Sequence, residues 1–180
     1  RVRAMGTIGG NLCFAEPRAD PPVLLAALDA QLHLISARGE RRIPASQFIT
    51  GAMETLRAPD ELLLRIEIPV TTGNICYERV VFGHRTIAGA AVVLPNGPAI
   101  EPRIWLGCVA MHPAPMPTTE QFIVTNPGAL DDALTHAIAT DISAFDIADD
   151  EDSSAEYRRH LAETVTRRAI VVATNQKVSA

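Results

Sequence analysis

The sequence predicts an α+β fold in two parts, separated by the small polar segment at residues 71–74. Stretches in which apolar and polar residues alternate, as in half-buried strands, occur on both sides of that segment. In the last third of the chain, apolar residues instead recur at helical spacing. A chain of 180 residues is long enough for one large or two small domains with a sizeable core.

The first part, residues 1–70, is expected to mix helices and short strands. Pro21 and Pro22 suit the first turn of a helix, and the Ala/Leu-rich residues 23–30 after them predict its body. Residues 31–37 alternate as a half-buried strand does, and residues 41–44 return as a second strand.

One helical turn is then expected over residues 45–48. Residues 62–68 form an apolar run that Pro69 ends, which is typical of a buried strand. This strand completes the first part.

The second part, residues 75–180, is expected to contain a small three-stranded antiparallel sheet. Strands are predicted at residues 76–82, 87–94 and 103–111. A Pro-Asn-Gly-Pro turn at residues 95–98 predicts an antiparallel hairpin between the last two strands. Prolines at positions 113, 115 and 117 then end the sheet.

Helices are expected to follow this sheet as a bundle. One is predicted over residues 129–140, and another begins after the acidic loop 146–152 at a capping box, Ser153 to Glu156. The second helix continues to about residue 174, and we expect its apolar stripe to pack on the sheet. The stripe consists of Tyr157, Leu161, Val165, Ala169 and Val172.

Composition excludes several classes of protein. With 47% hydrophobic residues, 21% charged residues and a net charge of −5, the chain is typical of globular proteins and unlike the basic nucleic-acid binders. No apolar run reaches the ~20 residues of a membrane span. Three widely spaced cysteines predict reduced thiols in a cytoplasmic protein. The histidines lack metal-ligand spacing, so no metal site is expected.

The segment MGTIGGN at residues 5–11 is the one place where the sequence indicates a ligand. Gly9 and Gly10 would let a turn adopt positive φ and expose backbone N–H groups, which form a concave phosphate site. The spacing is not that of a Rossmann fingerprint and no P-loop lysine follows, so a plain structural turn remains an alternative. A ligand loop this close to Arg1 leads us to expect a preceding segment.

Taken in order, these segments resemble the FAD-binding medium subunit of the molybdenum hydroxylases, the xanthine dehydrogenase and carbon monoxide dehydrogenase family. The resemblance covers nearly the whole chain. It rests on RAMGTIGGNL (3–12), AEPRADP (15–21), FITG (48–51), TL (55–56), PDELL (59–63), IEIP (66–69), YER (77–79), GCVA (107–110), Glu120, YRRHL (157–161) and RRA (167–169).

The resemblance implies a fold and a cofactor. Residues 1–70 would be the carboxy-terminal half of a PCMH-type (para-cresol methylhydroxylase-type) FAD-binding domain. Residues 75–180 would be a carboxy-terminal domain of the CO dehydrogenase flavoprotein type. The family's first glycine loop belongs to an amino-terminal segment that this chain does not contain.

The resemblance also implies which residues hold FAD. Backbone N–H groups and the Thr and Asn side chains of the glycine segment would bind it, and these residues are Thr7, Ile8, Gly9, Gly10 and Asn11. Asp20 would make a further polar contact, for which a hydroxyl or amine partner suits a carboxylate better than phosphate does. Leu63 would lie against the flavin ring, and Tyr77 or Arg79 would approach the ring from the other side.

The implied function is electron transfer, with no catalytic side chain in this subunit. Substrate would be oxidised at a molybdenum cofactor on a large subunit, and iron–sulfur clusters on a small subunit would pass electrons to FAD and an external acceptor. The assembly would be a dimer of heterotrimers. Two alternatives remain: a fragment of a vanillyl-alcohol-oxidase-type flavin oxidase, and a truncated protein that serves subunit contacts without flavin.

Overall fold

Two antiparallel sheets, one in each half of the chain, determine the architecture, and a separate two-stranded antiparallel sheet lies in the first half. A computed structural model describes residues 2–95, 101–151 and 153–175. The elements are α1 (Val2–Met5), α2 (Ile8–Phe14), α3 (Asp20–Ala27), β1 (Gln31–Ser36), β2 (Gly39–Pro44), α4 (Ala45–Phe48), β3 (Ile49–Gly51), β4 (Glu54–Thr55), β5 (Leu62–Glu67), β6 (Gly73–Phe82), β7 (Arg85–Pro95), β8 (Arg103–Gly107), β9 (Ala114–Pro115), α5 (Pro117–Thr125), α6 (Asp132–Ser143) and α7 (Ala155–Asn175).

The sheet of the first half has the order β2-β1-β5, with both pairs antiparallel. Its core consists of Leu12, Leu25, Ala30, Leu32, Leu34, Ile43 and Phe48. The prediction that β5 is buried is wrong, since Leu62 is 70% and Leu64 56% exposed. Within the described residues β5 is an edge strand, and only Leu63 and Ile66 of its apolar residues pack on the core.

Helix α3 lies between the two sheets. It begins at Asp20, earlier than predicted, and ends before Asp29, which has a left-handed φ of 56°. Val23 and Ala27 pack on β7 of the second half, whereas Leu25 belongs to the core of the first. Its apolar residues therefore face both sides, as in a buried helix.

The sheet of the second half has the order β6-β7-β8-β9. The three predicted strands are present, and the two-residue β9 adds a short fourth. β8 ends at Gly107, not at residue 111, because Cys108 has a φ of 65° that does not continue a strand. β7 and β8 pair antiparallel as predicted, although residues 96–98 of the predicted turn lie outside the described residues.

The face of this sheet opposite α3 packs on the helices of the second half. α5 was not predicted; Pro117 occupies its first turn, and the Asp141 carboxylate accepts from the Thr118 and Thr119 N–H groups at 3.0 and 2.8 Å. α6 begins at Asp132, three residues later than predicted, because Asp131 caps it. These caps satisfy N–H groups that a helix itself leaves unpaired.

The long helix α7 packs on the sheet as predicted. Leu161, Val165 and Ala169 are buried in the shared core, whereas Tyr157 and Val172, at the ends of the predicted stripe, are exposed. The cap is Ser154, whose Oγ accepts from the Tyr157 N–H at 3.2 Å, and not the predicted Ser153. The stripe is therefore a core face rather than a partner surface.

In the ranges that the structure describes, no helix is both long and apolar enough to cross a membrane. The three cysteines are free thiols, with Cys76 and Cys108 buried and Cys13 partly buried.

Candidate functional site

The glycine segment opens a helix. Thr7 is the N-cap of α2, with φ −119° and ψ 150°, and its Oγ1 accepts from the Gly10 N–H at 3.0 Å. Gly9 and Gly10 therefore lie in the first helical turn, and the predicted positive-φ turn is wrong. Threonine at an N-cap stabilises a helix start despite the low helix propensity of glycine.

The first turn of α2 leaves two backbone donors free. The Asn11 N–H donates to the Thr7 carbonyl at 3.0 Å, and Thr7 Oγ1 accepts a hydrogen bond from the Gly10 N–H. The Ile8 and Gly9 N–H groups have no acceptor in the described part of the chain, as is usual for the first residues of a helix. These two N–H groups form the kind of site that binds an anion.

A cavity of about 630 Å³ borders this turn. Its walls combine apolar side chains with the backbone of the glycine segment: Met5, Gly6, Thr7, Ile8, Gly10, Asn11, Phe14 and Pro21. Asn11 Oδ1 is buried without a hydrogen-bond partner, a state that costs free energy until a donor arrives. The cavity thus offers donors, one orphaned acceptor and apolar surface to a ligand.

Gly10 borders both the cavity and the cap. A Cβ on Gly10 would lie 2.9 Å from Thr7 Oγ1, closer than side chains normally approach. A side chain here would disturb the cap that orders the first turn.

Leu63 is brought next to the glycine segment by β5. It pairs with Leu34 of β1, and its Cδ2 lies 3.7 Å from the position that a Cβ on Gly9 would occupy. Leu63 is partly buried and packs on the core of the first half. It therefore supplies an apolar side chain beside α2.

Asp20 and Tyr77 form a separate cluster where the halves meet. The Tyr77 hydroxyl donates to Asp20 Oδ1 at 2.7 Å, and Arg79 Nη1 donates to Asp20 Oδ2. Asp20 begins α3 and precedes Pro21 of the cavity wall, whereas Tyr77 and Arg79 lie on β6. The structure thus brings two predicted residues together and assigns Arg79 a partner.

Two neutral groups surround this carboxylate. Burial, followed by the nearby Cys108 and the hydrogen bond with Asp20, raises the pKa of the Tyr77 hydroxyl. Burial, with Asp20 as the second cause, raises the pKa of the Cys108 thiol to about 12. Both groups stay protonated near neutral pH, so Asp20 and Arg79 carry the cluster's charge.

A second ionic cluster also joins the halves. Arg18 Nη2 lies 2.6 Å from Asp150 Oδ2, which also contacts Arg158 Nε at 3.4 Å. Arg158 is buried and donates to the carbonyls of Ala148 at 2.6 Å and Val109 at 2.9 Å. The sequence analysis missed this cluster, because no local pattern relates Arg18 to an aspartate 132 residues away.

In the described residues, no group of three or more His, Cys, Asp or Glu side chains could hold a metal ion. The α2 cavity is the candidate site because of its free backbone donors and the unpaired Asn11 Oδ1, and Asp20 precedes Pro21 of its wall.

Comparison with known proteins assigns each half of the chain to a family. Residues 1–71 match the FAD binding domain in molybdopterin dehydrogenase, and residues 85–173 match the CO dehydrogenase flavoprotein C-terminal domain. Caffeine dehydrogenase subunit beta of Pseudomonas sp. (strain CBB1) is 33% identical over 99% of this chain and 62% of its own length.

Two further relatives agree over nearly the whole chain. The carbon monoxide dehydrogenase medium chain of Afipia carboxidovorans is 35% identical over 94% of this chain and 61% of its own. The solved structure of quinoline 2-oxidoreductase from Pseudomonas putida 86 superposes with a TM-score of 0.86 at 28% identity, covering 96% of this chain and 62% of that one.

The chain thus spans about three fifths of the length of these relatives. The family matches of both halves and the shared fold all indicate the same protein family. The chain belongs to the FAD-binding medium subunits of the molybdenum hydroxylases, the family of carbon monoxide dehydrogenase and xanthine dehydrogenase.

Proposed function

We propose that this chain binds FAD at the α2 cavity and serves electron transfer within a molybdenum hydroxylase. The observation that carries the proposal is the first turn of α2, where, among the residues described, the Ile8 and Gly9 N–H groups are unpaired and one cavity is lined by Ile8 and by Asn11, whose Oδ1 has no partner. FAD offers the complementary groups: a dianionic pyrophosphate for the donors, hydroxyl and amine hydrogens for Asn11, and an aromatic ring for the apolar walls.

The residues divide this work among them. Ile8 and Gly9 donate backbone N–H groups, Thr7 orders the turn through Gly10, and Asn11 accepts from a ligand donor. Gly10 lines the cavity without a side chain, and a Cβ there would press on the Thr7 cap that orders the donors.

The remaining proposed site residues lie near the α2 cavity without lining it: Leu63 is beside Gly9, and Asp20 precedes Pro21 of the cavity wall. Leu63 supplies the apolar side of the flavin pocket, beside Gly9. Asp20 keeps lone pairs for a ligand hydroxyl, since each carboxylate oxygen accepts more than one hydrogen bond. Tyr77 is connected to the proposed site through its hydrogen bond to Asp20.

Bound FAD would supply the redox chemistry, and the protein would supply orientation, electrostatics and exclusion of water. In this proposal the electrons come from iron–sulfur clusters of a small subunit, after substrate is oxidised at a molybdenum cofactor on a large subunit. An external acceptor such as NAD⁺, a quinone or oxygen receives them. We propose a dimer of heterotrimers in the cytoplasm, with residues 1–70 as the flavin part and residues 75–180 as the second domain.

The test is an FAD titration of the chain and two variants, followed by flavin absorbance and fluorescence. We expect Asn11→Ala to weaken FAD binding about tenfold, the equivalent of about 1.4 kcal/mol. The matched control Asn126→Ala, at the exposed end of α5, should bind as the unaltered chain does.

The outcomes separate the competing functions. If the unaltered chain takes up no FAD, the proposal fails and a role in subunit contacts is favoured. Co-expression with molybdenum and iron–sulfur subunits tests the second step. Recovery of all three together, with bleaching of the flavin bands on addition of substrate, supports electron transfer. If the flavin is reduced by a substrate added to this chain alone, and not through the other subunits, the result indicates an oxidase instead.

A further inference from the structure

The second half of the chain holds both carboxylate oxygens of Asp20. The Tyr77 hydroxyl donates to Oδ1 at 2.7 Å, and the guanidinium of Arg79 donates to Oδ2. Asp20 lies on α3 of the first half, whereas both donors lie on β6. The orientation of this side chain is therefore set by the sheet of the other half.

The Tyr77 hydroxyl occupies the space that Gly89 of β7 leaves open. A Cβ on Gly89 of β7 would lie 2.4 Å from the Tyr77 hydroxyl oxygen and 3.1 Å from Cζ, so only glycine leaves the necessary space. The Tyr77 ring packs with Val23, Ala27, Ala91, Val93 and Cys108. Close packing of this kind gives a side chain one orientation, which fixes the direction of the hydroxyl.

Arg79 and Tyr77 act on Asp20 in different ways. An unpaired carboxylate beside a dinucleotide would repel its phosphates, and the Arg79 guanidinium compensates that negative charge. Tyr77 is neutral near pH 7 and contributes direction alone. One donor thus compensates the charge of Asp20, and the other fixes its geometry.

We propose that Tyr77 and Arg79 are positioning residues for Asp20, through which the β6 strand controls how tightly FAD is held. This inference rests on the proposed function, because it requires Asp20 to meet the cofactor. Both residues act through Asp20 and not by direct contact with the flavin. Their effects on FAD affinity should consequently disappear when the carboxylate is removed.

A double-mutant cycle tests this dependence. FAD dissociation constants are measured by flavin fluorescence for Tyr77→Phe and Arg79→Gln, each in the unaltered chain and in an Asp20→Asn background. We expect Tyr77→Phe to weaken binding about fivefold and Arg79→Gln about tenfold in the unaltered chain. In the Asp20→Asn background each should change affinity by less than about twofold, because the group that they orient has lost its charge.

Three further variants separate positioning from general destabilisation. Arg79→Lys keeps the charge and should retain most of the affinity that Arg79→Gln loses. Gly89→Ala displaces the Tyr77 hydroxyl and should reproduce the loss seen in Tyr77→Phe. Arg38→Gln removes an equal charge from an exposed pair with Asp60 and should leave affinity unchanged.

The possible results are distinct. Equal losses of affinity in both backgrounds would show direct contact with the flavin and overturn the inference. Unchanged affinity in Tyr77→Phe and Arg79→Gln would overturn it as well. Absence of FAD binding by the unaltered chain would instead count against the proposed function, and this inference would fail with it.

Discussion

The substitution Gly10→Val separates the fold of α2 from its ligand site. The new Cβ would lie 2.9 Å from Thr7 Oγ1, the atom that accepts the Gly10 N–H at 3.0 Å. Losing this cap costs about 1 kcal/mol, and replacing glycine by valine within a helix recovers about 0.5 kcal/mol. The net loss of about 0.5 kcal/mol should lower Tm by only about 1–2 °C in a chain of this size.

The effect on FAD should be much larger. Gly10 lines the cavity next to the free Ile8 and Gly9 N–H groups, so a valine there should hinder a ligand that binds to those donors. Losing two hydrogen bonds to a charged group, at about 1.5 kcal/mol each, weakens binding at least about 100-fold. Thermal melting and flavin fluorescence titration measure the two quantities on the same preparation.

Gly9→Ala is the matched control. Its Cβ would lie 3.7 Å from Leu63 Cδ2, an ordinary contact, so the helix should gain up to about 1 kcal/mol of stability. FAD affinity should change by no more than about twofold, or under about 0.5 kcal/mol. The reasoning is refuted if Gly10→Val binds FAD as the unaltered chain does while Gly9→Ala loses it.

Two predictions concern stability. Arg158→Met removes the buried donor of the Ala148 and Val109 carbonyls and one of the two arginines at Asp150, so Tm should fall by about 6–20 °C, from about 3–5 kcal/mol. The exposed Arg159→Met is its control, and an equal fall in calorimetry would contradict this account. The hydrogen bonds of Arg41, followed by that of the Ala58 N–H, lower the pKa of Glu61 from 4.5 to about 2. This stabilisation is present above about pH 4.5 and is lost as pH falls toward 2, so Glu61→Gln should reduce the difference in Tm between about pH 7 and pH 3. An unchanged difference would exclude Glu61 as its source.

Local patterns predicted many elements of the fold. Alternation in residues 31–37 and the return at 41–44 correspond to β1 and β2, and the turn at 45–48 to α4. These patterns reach only a few residues along the chain, which is also the range of the forces that form a turn or a hairpin. They did not predict α5, since one of its caps is the Asp141 side chain, contributed by α6.

The glycine pair shows how a local rule can mislead. Gly9 and Gly10 predicted a left-handed turn, yet they form the start of α2, because Thr7 caps it and Leu12 is buried in the core. Packing of an apolar residue outweighs the small propensity penalty of glycine. The Thr7 cap could have indicated this, since its spacing to Gly10 is that of an N-cap to the third helical residue.

From its order of residues alone, this protein could be assigned its family, its cofactor class and the segment that borders the cavity. The sequence did not determine that Tyr77 and Arg79 would meet Asp20, because residues 57 and 59 positions apart are joined only when α3 packs on the second sheet. The periodicity of apolar residues predicts which side chains are buried. Which side chains Tyr77 and Arg79 contact depends instead on the strand order and on the space left at Gly89. The three-dimensional packing therefore decided which groups orient the carboxylate at the site.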